Sequence, residues 1–359
     1  MTSARRIYVW YGLLAALLFG AGSQFSKLML TTVPPITMAG LLYAGSGAGL
    51  LLVTAGGFVI GKKRKAYEAR LARSDIPWLL ATMFFGTFLA PVTLMFSLPH
   101  TPAATAALLL SFEAVATTIV AVLWMKEPVG KRMWAALFLI TLSCILLSYT
   151  PDAVFGISLG ALGVLLTCSF WGLDNNIIQR ISGKDPLLTI MVKGLCIGTA
   201  MLLVGRAAGE AMPAPGAVLA SMAIGFMGFG GVMSISLLLA IRGLGSARAA
   251  SLISLSPFFG VFFAFALFSE MPGELFFIAF LIMLAGTFLL VTERHTHEHT
   301  HPSVVHEHRH RHDDLHHDHA HEDGVPAVNG SGYHSHLHAH EEITHTHAHT
   351  PDIHHRHRH

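Results

Sequence analysis

Charge is scarce in this chain. Asp, Glu, Lys and Arg make up only 12% of its 359 residues, about half of the roughly 25% found in soluble domains. Cysteine is scarcer still. Cys144, Cys168 and Cys196 all lie inside apolar stretches and form no CxxC pair, so they read as small packing residues and exclude a disulfide scaffold. Histidine is missing from residues 1–294 except at His100. A glycine-rich loop ending in Gly-Lys-Ser/Thr is absent, which leaves no phosphate cradle for ATP. These absences exclude a soluble globular enzyme and a nucleic-acid-binding domain.

What remains divides sharply at Arg294. Residues 1–294 hold 19 Lys/Arg and 11 Asp/Glu, while residues 295–359 hold 4 and 10, with 23 of the 24 histidines. A membrane helix needs about 20 apolar residues. Apolar runs between polar or Pro/Gly breaks predict ten helices, near 8–30, 35–60, 76–97, 102–124, 132–149, 157–178, 187–205, 217–240, 246–268 and 274–292. The apolar run after Arg5-Arg6 is too long for a signal peptide and reads as a retained first span. Alternate loops hold 15 cations on one side (Arg5, Arg6, the Lys62–Arg73 loop, Lys126, Lys131, Arg132, Arg180, Lys184, Arg242, Arg248) against Arg206 alone on the other. Basic loops stay in the cytoplasm, which places both termini there, in a multi-pass protein of the inner (plasma) membrane.

The two halves of the membrane part resemble each other. Residues 103–134 align with 246–277 at an offset of 143. Alanine-rich starts match first, then Glu127-x-x-Gly130 matches Glu270-x-x-Gly273, and Trp134 matches Phe277. Phe19 likewise answers Phe170-Trp171. Five spans per half is an odd number, so the second half enters the bilayer from the opposite side, as in many secondary transporters. The fold expected is an all-α membrane protein with ten transmembrane helices in two inverted five-helix repeats, 1–150 and 151–294, followed by a disordered cytoplasmic tail, 295–359.

The first-span Leu17-Leu18-Phe19-Gly20-Ala21-Gly22, the Lys126-Glu127-Pro128 after span four, and Ala240-Ile241-Arg242-Gly243-Leu244-Gly245 before span nine carry a family likeness. Together they resemble the drug/metabolite transporter superfamily, EamA type, over residues 8–292. The resemblance implies ten spans in two repeats and export of small organic solutes or amino acids. The chain departs from that pattern at Ser111-Phe112-Glu113-Ala114, where the family often has proline, and at Tyr43, where it often has arginine. A subset sharing Leu173-Asp174-Asn175-Asn176 and a histidine tail is closer still.

Four ionisable groups fall well inside predicted spans: Lys27, Glu113, Asp174 and Lys193. An unpaired charge at the bilayer centre costs about 2.5–3.5 kcal/mol on insertion scales, so such groups face a bundle interior or a wet cavity. Two acids and two bases permit mutual pairing. Gln24, Asn175 and Asn176 flank them on stripes of small and polar residues, which by themselves read as helix-packing faces. The substrate and proton pathway expected is therefore Lys27, Gln24, Glu113, Asp174, Asn175, Asn176 and Lys193. Glu113 is its exchangeable proton site, Lys27 and Lys193 attract a carboxylate, and Asp174 with Asn175 holds an amino group or a lysine. No residue is assigned a catalytic role.

The tail is too poor in apolar residues to build a core. Its candidate metal ligands are His295, His297, His299, His301, His306, His308, His310, His312, His316, His317, His319, His321, His334, His336, His338 and His340. Imidazole is the commonest side-chain ligand for zinc, nickel, cobalt and copper, and His-x-His spacing lets neighbouring rings share an ion. No cofactor is required. The expected partners are the lipid bilayer, a small-molecule substrate, protons, transition metal ions and, as an option, a second copy of the chain. The leading reading is a secondary exporter of a small organic or amino-acid-like solute, with a metal-binding tail. The alternatives are a transporter of divalent nickel, cobalt or zinc or of a metal chelate, and a membrane-anchored metal sensor.

Overall fold

The computed structural model describes the backbone of residues 3–59, 72–126, 129–150, 157–181, 184–292, 295–301, 304–310, 334–340 and 343–349, and side chains for most of residues 6–292. The Lys62–Arg70 loop, Glu127, and His312, His316, His317, His319 and His321 lie outside the described residues. Ten helices among the described residues are long and apolar enough to cross a membrane. In chain order, spans one to five are Arg6–Met29, Pro35–Gly56, Arg73–His100, Ala103–Met125 and Lys131–Ser148. Spans six to ten are Leu159–Ile181, Pro186–Ala207, Pro215–Leu244, Arg248–Leu267 and Glu274–Val291. Every span expected from the apolar runs is present, with ends shifted by a few residues.

Local chemistry sets those ends. Pro35, Pro186 and Pro215 open their helices, where a missing N–H costs nothing. Asp185 accepts from Leu187 N at 3.0 Å and Leu188 N at 3.1 Å at the start of span seven. Glu210, from the loop after span seven, caps span two instead. Its carboxylate accepts from Ile36 N at 3.0 Å and from Thr37 N and Thr37 Oγ1 at 2.7 Å each. Lys126 closes span four with a left-handed φ of 58°.

The spans pair as two related sets of five. Span two packs on span seven and span five on span ten, each against its own repeat mate. Span one packs on spans eight and nine, and span six on spans three and four. Local irregularities repeat as well. The π-helical segments Met83–Leu89 in span three and Phe226–Gly230 in span eight begin 143 residues apart. Span four breaks at Leu110-Ser111 and span nine at Ser254-Leu255, positions the repeat equates to within one residue. These are the discontinuous helices that line the sites of many repeat-built transporters.

Glycine makes the close helix approaches possible. A Cβ at Gly225 in span eight would collide with the Leu42 carbonyl of span two, and one at Gly45 with the backbone of Met222. Small residues at such crossings replace the hydrophobic drive that lipid cannot supply. Outward faces are apolar instead, with Leu52, Phe138, Leu159, Leu219 and Phe288 all more than half exposed, as a lipid-contacting surface requires.

Within the tail, four short backbone segments are paired: β1 (His295–His301), β2 (Val304–His310), β3 (His334–His340) and β4 (Ile343–His349). β1 pairs antiparallel with β4 and β2 with β3, in one shared register that sets His297 opposite His347 and His308 opposite His336. Two-stranded ladders are marginal in water on backbone bonds alone.

Gly225→Ala is expected to cost about 1–3 kcal/mol through overpacking and to lower the thermal unfolding temperature of the detergent-solubilised protein. At Gly216 a Cβ would meet nothing within 4 Å. Gly216→Ala is therefore expected to be neutral or to stabilise by up to about 1 kcal/mol in the same measurement.

Candidate functional site

Span six is the hub of the charged groups. Asp174, Asn175 and Asn176 are consecutive, so a helix turning about 100° per residue fans them towards different neighbours. Asp174 Oδ2 lies 3.4 Å from Lys193 Nζ of span seven. Asn175 Nδ2 donates to Glu113 Oε1 of span four at 2.8 Å and to Thr117 Oγ1 at 3.2 Å. Fully buried Asn176 donates from Nδ2 to Thr117 O at 3.0 Å and to Gly172 O at 2.8 Å. One turn of span six thus gathers both intramembrane carboxyls and one lysine at the junction of spans four, six and seven. Glu113 sits in the first turn after the break in span four.

Span three supplies the floor. Its π-helical segment contains Gly86, whose carbonyl accepts from Trp171 Nε1 at 3.2 Å and from the Tyr43 hydroxyl at 3.4 Å. Insertion of a π-turn re-aims backbone carbonyls and is frequent at functional sites. A Cβ at Gly86 would overlap the Asp174 carboxylate, so glycine here is what lets Asp174 lie against span three. Tyr43 stands in the field of both Asp174 and Glu113. Phe19 of span one leans on Trp171, with ring centroids 6.1 Å apart, which ties span one to the same layer.

The other two pathway candidates are engaged elsewhere. Lys27 Nζ donates to the Thr101 carbonyl, lies 3.5 Å from Glu270 Oε1, and sits over the Phe268 ring. Glu270 Oε2 in turn accepts from Ala103 N at 2.7 Å, at the start of span four. Gln24 Nε2 reaches the Ala103 carbonyl at 3.4 Å. Lys27 and Gln24 therefore join span one to the loops before span four and after span nine. Lys193 shares none of these partners. Glu270, read from sequence as a structural helix-end residue, is the acid that Lys27 meets, and the expected balance of two acids and two bases within one cluster becomes two acids and one base.

Sequence reasoning singles out Glu113, Asp174, Asn175, Asn176 and Lys193, and the structure brings these five together. It passes over Gly86 and Trp171, and notes Tyr43 only as a departure from a pattern. Nothing in spacing marks Gly86, because its role depends on a π-turn and on a neighbour 88 residues away in the chain. Among the described residues, no three His, Cys, Asp or Glu side chains converge as metal ligands.

Two substitutions probe this floor. Gly86→Ala is expected to push Asp174 off span three and to cost about 1–3 kcal/mol. Tyr43→Phe removes only one of two bonds to the Gly86 carbonyl and is expected to cost about 0.5–1.5 kcal/mol. Thermal unfolding in one detergent should rank Gly86→Ala below Tyr43→Phe and both below the parent.

Comparison with known proteins follows the same lines. A curated protein of Methanothermobacter thermautotrophicus named as an uncharacterized transporter is 28% identical over 303 residues, covering 80% of this chain and 87% of that one. A crystal structure at 16% identity superposes with a TM-score of 0.56, covering 79% of this chain and 96% of its own, which is a likeness of fold. The model of the EamA-like transporter family matches residues 6–149 and again 158–292, once for each set of five spans, and the chain belongs to that family.

Proposed function

We propose that this transporter is a gradient-driven exporter of a small organic or amino-acid-like solute, with residues 1–150 and 151–294 as its two five-helix units. The solute passes beside Glu113, Asp174 and Lys193, and Glu113 carries the exchangeable proton. The observation that carries this reading is the placement of Glu113. It is a carboxyl inside a membrane span, beside a helix break, and its side-chain partner is the neutral amide of Asn175 rather than a cation. Intramembrane carboxyls arranged this way are costly to maintain and mark proton relays and solute paths. The absence from the sequence of an ATP-binding loop supports an ion gradient as the energy source.

The mechanism follows from the contacts. With a proton on Glu113, the Asn175 amide bridges spans six and four through Glu113 and Thr117. Loss of the proton changes that bridge from a neutral to a charge-assisted hydrogen bond, which is shorter and stronger. Protonation on one side of the membrane and release on the other therefore bias how span six seats against span four. Lys27 with Glu270 and Thr101 ties span one to the outer loops of both sets, and this tie must loosen whenever the path opens outwards.

The orientation is assigned from loop charge, with both termini in the cytoplasm of the inner membrane. Residues 295–359 form a cytoplasmic arm for transition metal, held by the histidines from His295 to His340. The cross-strand register supports it, because His295, His297 and His299 stand opposite His349, His347 and His345. A second reading is export of a metal chelate that the tail delivers.

In proteoliposomes, Glu113→Gln is expected to abolish solute flux driven by a pH gradient while leaving solute counterflow measurable. Unchanged gradient-driven flux would remove Glu113 from the proton path. Truncation after Arg294 is expected to lower cellular tolerance of nickel, cobalt or zinc at unchanged expression, measured by growth and by immunoblot. Radiolabelled metal flux that depends on Asp174 would favour the chelate reading.

A further inference from the structure

On the Asp174–Asn176 turn of span six hydrogen bonding is unbalanced in one direction, whereas Arg180 Nε, further along the span, is a buried donor without a hydrogen-bond partner. Each donor group has an acceptor: Asn175 Nδ2 has Glu113 and Thr117, Asn176 Nδ2 has two carbonyls, and Trp171 Nε1 and the Tyr43 hydroxyl share the Gly86 carbonyl. Lys193 Nζ has Asp174 Oδ2. The buried atoms left without partners on this turn are Asp174 Oδ1 and Asn176 Oδ1, and both are acceptors. Turning the Asn176 amide over would give up two bonds to backbone carbonyls, so its orientation is set by its neighbours. Ser111 Oγ, at the break in span four, is also unpartnered, and a hydroxyl accepts as readily as it donates.

The charges lean the same way. With Lys27 committed to Glu270, the cluster holds two carboxyls and one ammonium. A solute carboxylate entering here would meet the Asp174 carboxylate, and that of Glu113 whenever its proton is released. An alkylammonium brings one positive charge and three N–H donors, which suit the unpartnered acceptors Asp174 Oδ1 and Asn176 Oδ1. A bare divalent ion needs several converging ligands, and no such group occurs among the described residues.

We propose that the transported solute carries a protonated amine, and that this amine docks on Asp174 Oδ1 and competes with Lys193 for the Asp174 carboxylate. The assignment rests on the transport reading above and names its substrate class. Lys193 acts as a tethered stand-in for the solute: it holds Asp174 while the site is empty and is displaced when an amine arrives. The competition lowers apparent affinity by the fraction of time that Lys193 occupies the carboxylate. Because Lys193 belongs to span seven and Asp174 to span six, displacement would release a contact between these spans and let occupancy alter their packing.

The test uses the full chain in detergent and three probes of one skeleton: butylammonium, 4-aminobutyrate and butyrate. Butylammonium and 4-aminobutyrate are expected to raise the unfolding temperature in a saturable way, and butyrate is not. Lys193→Gln is expected to tighten the apparent amine Kd by about tenfold, because the internal competitor is gone. Asp174→Asn should abolish the amine response, and Asp174→Glu, which keeps the charge, should retain it if the asparagine variant does not fold. A butyrate response equal to that of butylammonium overturns the assignment. So does loss of the amine response in Lys193→Gln, or no amine response in the parent at millimolar concentration. Proteoliposome counterflow separates this proposal from the transport reading. Amine binding without 4-aminobutyrate counterflow leaves the amine site standing and counts against transport, whereas butyrate flux without amine binding does the reverse.

Discussion

Hydrocarbon offers a backbone no hydrogen-bonding partner, so every N–H and C=O that crosses the bilayer must find one inside the protein. Ten helices meet this requirement along most of their length. They depart from it at the π-helical segments of spans three and eight, at a third at the end of span four (Ala121–Met125), and at the breaks in spans four and nine. At the π-helical segment of span three and the break in span four, carbonyls are met by side chains of neighbouring spans. The Gly86 carbonyl, served by Trp171 and Tyr43, is the clearest case. Irregular backbone and polar side chains therefore gather in one layer, and the layer marks the interior of the bundle.

The same constraint arranges the charges. Asp174 and Lys193 sit within one ion pair on adjacent spans, Glu113 is held by an amide, and Lys27 meets Glu270 at the far end of span one. A chain built only to anchor a soluble tail needs none of these groups in its spans. The cluster on span six couples spans four, six and seven through side-chain contacts. The Lys27–Glu270 tie instead joins loops belonging to both repeats. A carrier that alternates between two faces requires both kinds of contact, one that senses cargo and one that holds a face shut.

Spans one and six hold equivalent places in the two sets. Span six packs on spans three and four, as span one packs on spans eight and nine. Phe19 answers Phe170-Trp171, which sets Ser23 and Gln24 of span one against the Asp174–Asn176 stretch of span six. The two repeats thus carry one scaffold with different chemistry on it. Span six carries the acid and amides of the central cluster, while span one offers Ser23 and Gln24, which bond to backbone carbonyls near the start of span four and within their own helix.

Much of this was legible in the chain. Apolar runs of about 20 residues have one solution in a bilayer, so span number and approximate ends followed from composition and Pro/Gly punctuation. The offset of 143 marked the repeat, and it recurs in the spacing of the π-helical segments of spans three and eight. The cost of burying charge singled out Glu113, Asp174 and Lys193 without any knowledge of neighbours. Which acid meets which base was decided only by the tertiary structure. Pairing depends on how far each helix slides and rotates against the next, and glycine contacts such as Gly225 against Leu42 and Gly86 against Asp174 fix those shifts. A periodic pattern reports which face of a helix is polar; it carries no record of the height at which that face meets its partner, and for that reason Lys27 belongs to Glu270 and Asp174 to Lys193.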